Sequence, residues 1–436
     1  MALRIGKVPI LRQLYFYLLL TVVATTIFSW LNFNSLCIIA TLLVVLIDGN
    51  PFIKIKQAFL NPYFLAYFCF FLLILISLAW SENTADGWKN VERKATLIAV
   101  PFLVLAGPLK GKEDYKKLMT AWCILLFLTT MICLVYAVFR YIDTKDITVF
   151  FYHSLVDVIS QNAIWYSIFL LLGLLFLLSS PVHTGIIPES KARSVRLFLV
   201  FFFIAVIILL SSKLMLVILG IILFGSAVKN FSLKKNRFLL GGICAIFLVL
   251  VVALIATDNP IRKRYQEAMM SDLEIVSRPK YAPDIVFNGV SLRLIQWRFA
   301  VEILNENEAW VAGVGPGDSQ DLLDRKYINT DMYIGERGRD KGFLGYDFHN
   351  QFIEQQVQTG IIGLTLLVGI FFLLFRAAKK ARRADAWFSI IVLAAVCLTE
   401  SLLELQHGLF LFSFYPFVLL KYIDREEHTQ PAAKIG

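Results

Sequence analysis

Three stretches hold residues whose types and spacing could do chemistry. The first, Asp347 to Gly363, reads DFHNQFIEQQVQTGIIG and sets a carboxylate, an imidazole and a row of amides directly before an apolar run. His349 is one of only five histidines in the chain. At a helix start near the lipid headgroups, a neutral imidazole can take a proton from a hydroxyl, as a general base does; a capping or interfacial histidine fits the same residues, and Asn350 shares the position. The second stretch, Ser291 to Asp318, begins as a helix. Leu292, Ile295, Phe299, Ile303 and Leu304 make an apolar stripe, Arg293 and Trp297 share another face, and Arg298 lies one turn before Glu302. It gives way to GVGPGD, where Gly313, Gly315 and Gly317 permit a tight turn. Such a turn can cradle phosphate through its N–H groups, but this one follows a helix and lacks a succeeding Lys-Ser or Lys-Thr, so a structural turn is the stronger reading. The third is Lys213 in LLSSKLMLVILG, the sole basic residue between two apolar runs. It can snorkel to the headgroups or present an ammonium to an anionic lipid.

The elements that must position these residues are membrane helices. Of 436 residues, 58% are hydrophobic and 17% charged, with a mean hydropathy of +0.70, a composition that belongs in lipid. Apolar runs long enough to cross about 30 Å of hydrocarbon recur twelve times. They start near Leu14, Ser35, Tyr63, Ala95, Leu118, Asn162, Arg196, Lys213, Phe238, Thr359, Trp387 and Gly408, the second and fourth being short enough to be tilted, partial or interfacial. The first is too long for a signal-peptide core and reads as a retained span. Gly360 and Gly363 suit close helix packing in the tenth.

Charge orients them. Alternate connectors (residues 1–13, 48–60, 110–117, 181–196, 229–237, 376–386 and 421–436) hold 24 of the 42 Lys and Arg but 8 of the 32 Asp and Glu. That asymmetry puts them, and both termini, in the cytoplasm. The net charge of +10 is then mostly this topological signal, reinforced by anionic membrane lipids, and calls for no nucleic acid. The expected organisation is all-α: about twelve transmembrane helices, nine within residues 1–257, one large loop on the outer side over 258–358, and three helices with a short cytoplasmic tail over 359–436. All six cysteines (Cys37, Cys69, Cys123, Cys133, Cys244, Cys397) fall in apolar runs, spaced for neither a disulfide framework nor a metal cluster.

Taken in order, several stretches resemble the O-antigen ligase and polymerase superfamily of bacterial membrane glycosyltransferases. LAWSENTADGWKNVERKATLIAVPFL (Leu78 to Leu103) is similar to the outer loop and arginine-bearing segment near the family's start, and QNAIWYSIFLL (Gln161 to Leu171) to the opening of its next inward span. LLSSKLMLVIL resembles the family's Ser-Arg hairpin, SLRLIQWRFAVEIL with GVGPG its large-loop arginine motif, FHNQFIEQQVQTGIIGL its His-Asn motif, and TESLLE (Thr399 to Glu404) its last outer turn. The likeness runs from about residue 75 onward. It departs at the hairpin, where Lys213 stands for the usual arginine and offers a point charge in place of a bidentate fork.

The resemblance implies transfer of a glycan from a polyprenyl diphosphate carrier to a hydroxyl acceptor, a lipid A core, at the periplasmic face of the inner membrane. It implies no cofactor and no metal. Lys213 and Arg293 would meet the departing diphosphate, and His349 would take the hydroxyl proton with Asn350 or Asp347 orienting it. Arg298, Asn350 and Trp297 would help to bind substrate. A polymerase using a second lipid-linked glycan, or a protein O-glycosyltransferase, would share all of these motifs. A twelve-span transporter predicts ionisable groups within the spans and related halves, which the sequence lacks. A metal-dependent hydrolase would draw on His153, His349 and His407, which show no His-Glu-x-x-His spacing.

Overall fold

The computed structural model describes residues 7–109, 111–183, 185–232, 273–336, 340–381 and 383–429, with Gly242 and Arg262. The expected ninth span from Phe238, the first part of the large loop and Cys244 lie outside the described residues. Within them the regular structure is entirely helical, and asparagines start many of the helices. α1 (Lys7–Ile27) and α2 (Leu31–Ile47) form a hairpin. Asn50-Pro51 and Asn61-Pro62 open α3 (Pro51–Phe59) and α4 (Pro62–Ser77); each asparagine side chain accepts a backbone N–H two residues on, and each proline fills the first helical position. α5 (Thr84–Lys94) begins at Asn83 and runs into α6 (Thr96–Ala106).

The other apolar runs follow as α7 (Gly111–Thr144), the short α8 (Tyr152–Val156), α9 (Ala163–Ser179), α10 (Glu189–Leu210) and α11 (Lys213–Ser232). The described part of the large loop contributes α12 (Gly289–Glu306) and α13 (Ser319–Asn329), and the chain ends in α14 (Gln351–Lys380), α15 (Ala384–Cys397) and α16 (Gln406–Thr429). Eleven of the twelve apolar runs therefore fall on helices. Five are long and apolar enough to cross a membrane, or up to seven if the bent pairs α2–α3 (109°) and the one joining residues 152–159 to α9 (84°) each count as one span. α6, the fourth run, has 11 residues, about 16 Å of rise, too short to cross alone.

α9 is apolar all round and buried almost throughout, which makes it a central post of the bundle. α6 packs on α16, α4 on α14, and α10 and α15 on α9. The buried Tyr67 hydroxyl donates to the Phe412 carbonyl at 2.8 Å. On α7, Leu128, Ile132, Val135, Phe139 and Ile142 face outward, an apolar stripe at helical spacing that only lipid can cover without cost.

A second hydrophobic cluster lies in the large loop. Ile295, Phe299, Ile303 and Leu304 of the expected stripe are buried there with Tyr281, Leu323, Tyr327 and Phe348, and Leu292 packs at its edge. It joins the bundle at a break in α14. Gly360 sits at φ 64°, outside helical geometry, and a Cβ there would lie 2.1 Å from the Val311 carbonyl oxygen. The break frees the Val357 and Gln358 carbonyls, which accept from Val314 N (2.8 Å) and Gly315 N (3.0 Å). Gly360 thus makes a hinge seat for the loop; the expectation that it serves helix packing is corrected on this point.

Candidate active site

Asn288 caps α12, accepting from the backbone N–H groups of Val290 and Ser291. One turn on, Arg293 points at the connection between α15 and α16. Its guanidinium donates to the Gly289 carbonyl (2.8 Å), to the Thr399 carbonyl (3.1 Å) and to the Glu400 carboxylate (2.8 Å). On the same face the Trp297 indole N–H donates to the Phe348 carbonyl at 3.0 Å, tying α12 to the residue before His349. Arg298 takes a different direction. It donates to the Val276 and Arg278 carbonyls at 2.5 and 2.8 Å and pairs with Glu302 at 3.1 Å, so it braces the loop's own cluster.

Asn350, and not His349, caps α14. Its Oδ1 accepts from Phe352 N (3.0 Å) and Ile353 N (3.2 Å), and its Nδ2 donates to the Leu398 carbonyl at 3.2 Å. The capping reading of the histidine therefore passes to its neighbour. His349 itself sits at φ 47°, in the left-handed region where few residues other than glycine rest comfortably. Its Nδ1 lies 3.0 Å from the Asp347 carbonyl oxygen and 3.3 Å from the Asp347 carboxylate. Both neighbours are acceptors, so Nδ1 carries a proton, and in the neutral form of the ring the lone pair is at Nε2, which has no hydrogen-bond partner among the described residues. Asp347 also accepts from the His349 backbone N–H at 2.8 Å.

Glu400 is the anionic partner of Arg293. Its side chain is only 13% exposed, and burial pushes its carboxyl above the ordinary value while Arg293 and then His349 pull it back. The carboxylate therefore lies in the field of both. Beneath it is a buried polar cluster. Lys94, fully buried, contacts Glu404 at 2.7 Å and donates to the side-chain oxygen Oε1 of Gln358 at 2.6 Å. The Gln358 amide donates to Glu354 (2.8 Å) and Glu404 (3.2 Å), Ser401 donates to Glu354 (3.2 Å), and the Leu403 N–H donates to Gln351 at 2.6 Å. Burial pushes the Glu404 carboxyl up, but Lys94 and Arg93 outweigh it and hold it below the usual range. This cluster is what the row of glutamines before the tenth span does: it pins the turn that presents Thr399 and Glu400.

Lys213 follows Ser211, which closes α10 at φ 46°, so the hairpin turns within two residues. Twelve residues along α11, Gly225 lies against Phe388 near the start of α15; a Cβ there would be 2.7 Å from the ring. Going back from that contact, Lys213 lies about 18 Å along α11 and Leu398 about 15 Å along α15. Because the two helices run oppositely, Lys213 comes to the end of the bundle that holds Thr399 and Glu400. The glycine turn takes the structural role: a Cβ on Gly315 (φ 100°) would sit 2.6 Å from Ser81 Oγ. The other outer histidines stand apart from His349. His153 Nδ1 accepts from Ala163 N (3.1 Å), and His407 Nε2 is 3.0 Å from Ser29 Oγ.

Sequence reasoning named Arg293 and His349 as candidates and did not single out Glu400, Lys94 or Glu404. The available signal was an ionisable group at the edge of, or between, apolar runs, where its charge is costly unless paired. Residues 197–368 match the family described as O-Antigen ligase. The matched stretch contains Lys213, Arg293, Trp297, Arg298, His349 and Asn350, and ends before Glu400. No curated protein matches the chain.

Proposed function

We propose that this chain, whose residues 197–368 match the family described as O-Antigen ligase, is an enzyme of that superfamily and moves a glycan from a polyprenyl diphosphate carrier to a hydroxyl acceptor, a lipid A core, at the periplasmic face of a bacterial inner membrane. The observation that carries the reading is the histidine held by Asp347 through Nδ1, with Nε2 unengaged, next to an asparagine bonded to Leu398, two residues before the Glu400 that pairs with Arg293. In the proposed step the acceptor hydroxyl loses its proton to His349 Nε2 and its oxygen bonds to the anomeric carbon. The bond from that carbon to the phosphate oxygen breaks, and the electron pair leaves with the diphosphate. Arg293 and Lys213 meet that charge, Arg293 exchanging part of its hold on Glu400 and Thr399 for phosphate oxygens. Asp347 positions the base. Asn350 and Trp297 position the chain segment that carries it. The donor is already activated, so the step asks for neither nucleotide nor metal, and activity is expected to survive a chelator.

The topology that serves this reaction is the one expected from charge: about twelve crossings, both termini in the cytoplasm, residues 1–257 and 359–436 forming the membrane part and 258–358 outside. Polymerisation onto a second lipid-linked glycan and transfer to a Ser or Thr side chain use the same groups. Deletion of the gene followed by analysis of surface glycolipids separates the first from ligation. Loss of capped lipopolysaccharide, with long chains still built on the carrier, supports a ligase; single repeat units alone mark a polymerase, and unchanged glycolipids contradict both.

A further inference from the structure

A cavity of about 340 Å³ opens on the far side of the glycine turn from the polar cluster, between the α4–α5 connection and α13. Its wall includes Trp80, Glu82, Asn83, Asn307, Asp321 and Arg325. Three of these are uncommitted: the Trp80 indole N–H, the Glu82 carboxylate and the Arg325 guanidinium have no hydrogen bond or ion pair among the described residues. A carboxylate and a guanidinium thus face one cavity without joining each other, beside an indole that is 40% exposed. The rest of the wall is spent on holding its shape. Asp318 accepts from Glu82 N (2.8 Å) and Asn83 N (2.7 Å), and the Asn83 amide donates to Asp86 (2.9 Å) and Asp321 (2.8 Å).

We propose that this cavity binds a neutral saccharide, as a subsite for glycan residues beyond the one transferred; that placement rests on the glycosyl-transfer reading above. The volume falls in the range of small-ligand sites. Sugar hydroxyls donate to Glu82 and accept from Arg325, while the C–H face of a pyranose ring lies on the Trp80 indole. Glu82, Asp318 and Asp321 outnumber the one guanidinium, so the cavity disfavours polyanionic chains. Its wall continues into the reacting region: Gly315 N donates to the Gln358 carbonyl (3.0 Å) and the Asn90 amide to the Pro316 carbonyl (3.2 Å). A chain leaving this cavity would cross the glycine turn toward Glu400.

The test is equilibrium binding of three neutral hexasaccharides (gluco-, manno- and galacto-configured) to the full chain in nanodiscs, with a galacturonate hexamer as anionic control. At least one neutral probe should bind, Trp80→Ala and Arg325→Gln should each weaken it about tenfold with the unfolding temperature unchanged, and Arg293→Ala should leave it as in wild type. The proposal is overturned if no neutral probe binds, if the galacturonate binds more tightly, or if Arg293→Ala abolishes binding that Trp80→Ala and Arg325→Gln spare. Binding with the expected pattern supports the cavity even where gene deletion leaves surface glycolipids intact, a result that would contradict only the transferase reading.

Discussion

Arg293 donates through Nη2 to the Glu400 carboxylate at 2.8 Å, an ion pair that closes 107 residues of sequence. The guanidinium is also held by two carbonyls, so its plane is aimed before any substrate arrives. Arg293→Ala should abolish transfer and weaken donor binding while membrane insertion is retained. Arg293→Lys keeps the charge but loses the fork, and should transfer more slowly than wild type. Equal donor affinity for wild type and Arg293→Ala, measured by retention of a labelled polyprenyl diphosphate glycan, would remove the arginine from the anion site.

The same pair gives a pH dependence with a definite sign. Burial lifts the Glu400 carboxyl above its ordinary 4.5 despite Arg293 and His349. Between the unfolded and folded values the folded chain keeps a proton that the unfolded chain has released, so this residue's contribution to stability falls as pH rises from about 4.5 through the folded value. Glu400→Gln removes the titration. Its unfolding temperature in detergent should therefore lose less than that of wild type over this interval; parallel curves would refute the assignment.

Lys94 and Glu404 are buried together, and removing one partner strands the other. Lys94→Met should cost about 3–5 kcal/mol, enough to lower yield and unfolding temperature sharply. Lys94→Met combined with Glu404→Leu should recover a large part of the loss, because neither member of the pair is then left buried without the other. A double variant as damaged as the single one would mean that the pair does not act as a unit.

What was legible in the sequence was what is local. The α12 stripe from Ile295 to Leu304 follows from helical spacing, and the start of α14 from an asparagine set before an apolar run. What stayed hidden is contact between distant segments. Nothing near Arg293 announces Glu400, and nothing near Lys94 announces Glu404, 310 residues later. Arg298 shared a motif with Arg293, yet five residues at about 100° each turn its side chain about 140° away around the helix, and it ended on the loop's own carbonyls. Gly360 looked like a packing glycine because the carbonyls its break releases are taken up by Val314 and Gly315 from a separate segment.

The proposed topology rests on the alternating basic connectors. Reporter fusions at Asn230 and Asn305 should report opposite compartments, cytoplasm for the first and periplasm for the second. The same compartment for both would dismantle the proposed arrangement of the site.

The central claim is that His349, poised by Asp347 and relieved of capping by Asn350, is the base. The most direct measurement is the single-turnover rate of glycan transfer in proteoliposomes loaded with lipid-linked donor, for His349→Ala beside Asn350→Ala. Loss of the cap should cost about 1 kcal/mol of stability and slow transfer less than tenfold. Loss of the base should slow it about 10²–10⁴-fold with donor retention unchanged. A His349→Ala protein that transfers glycan at the wild-type rate would contradict the account.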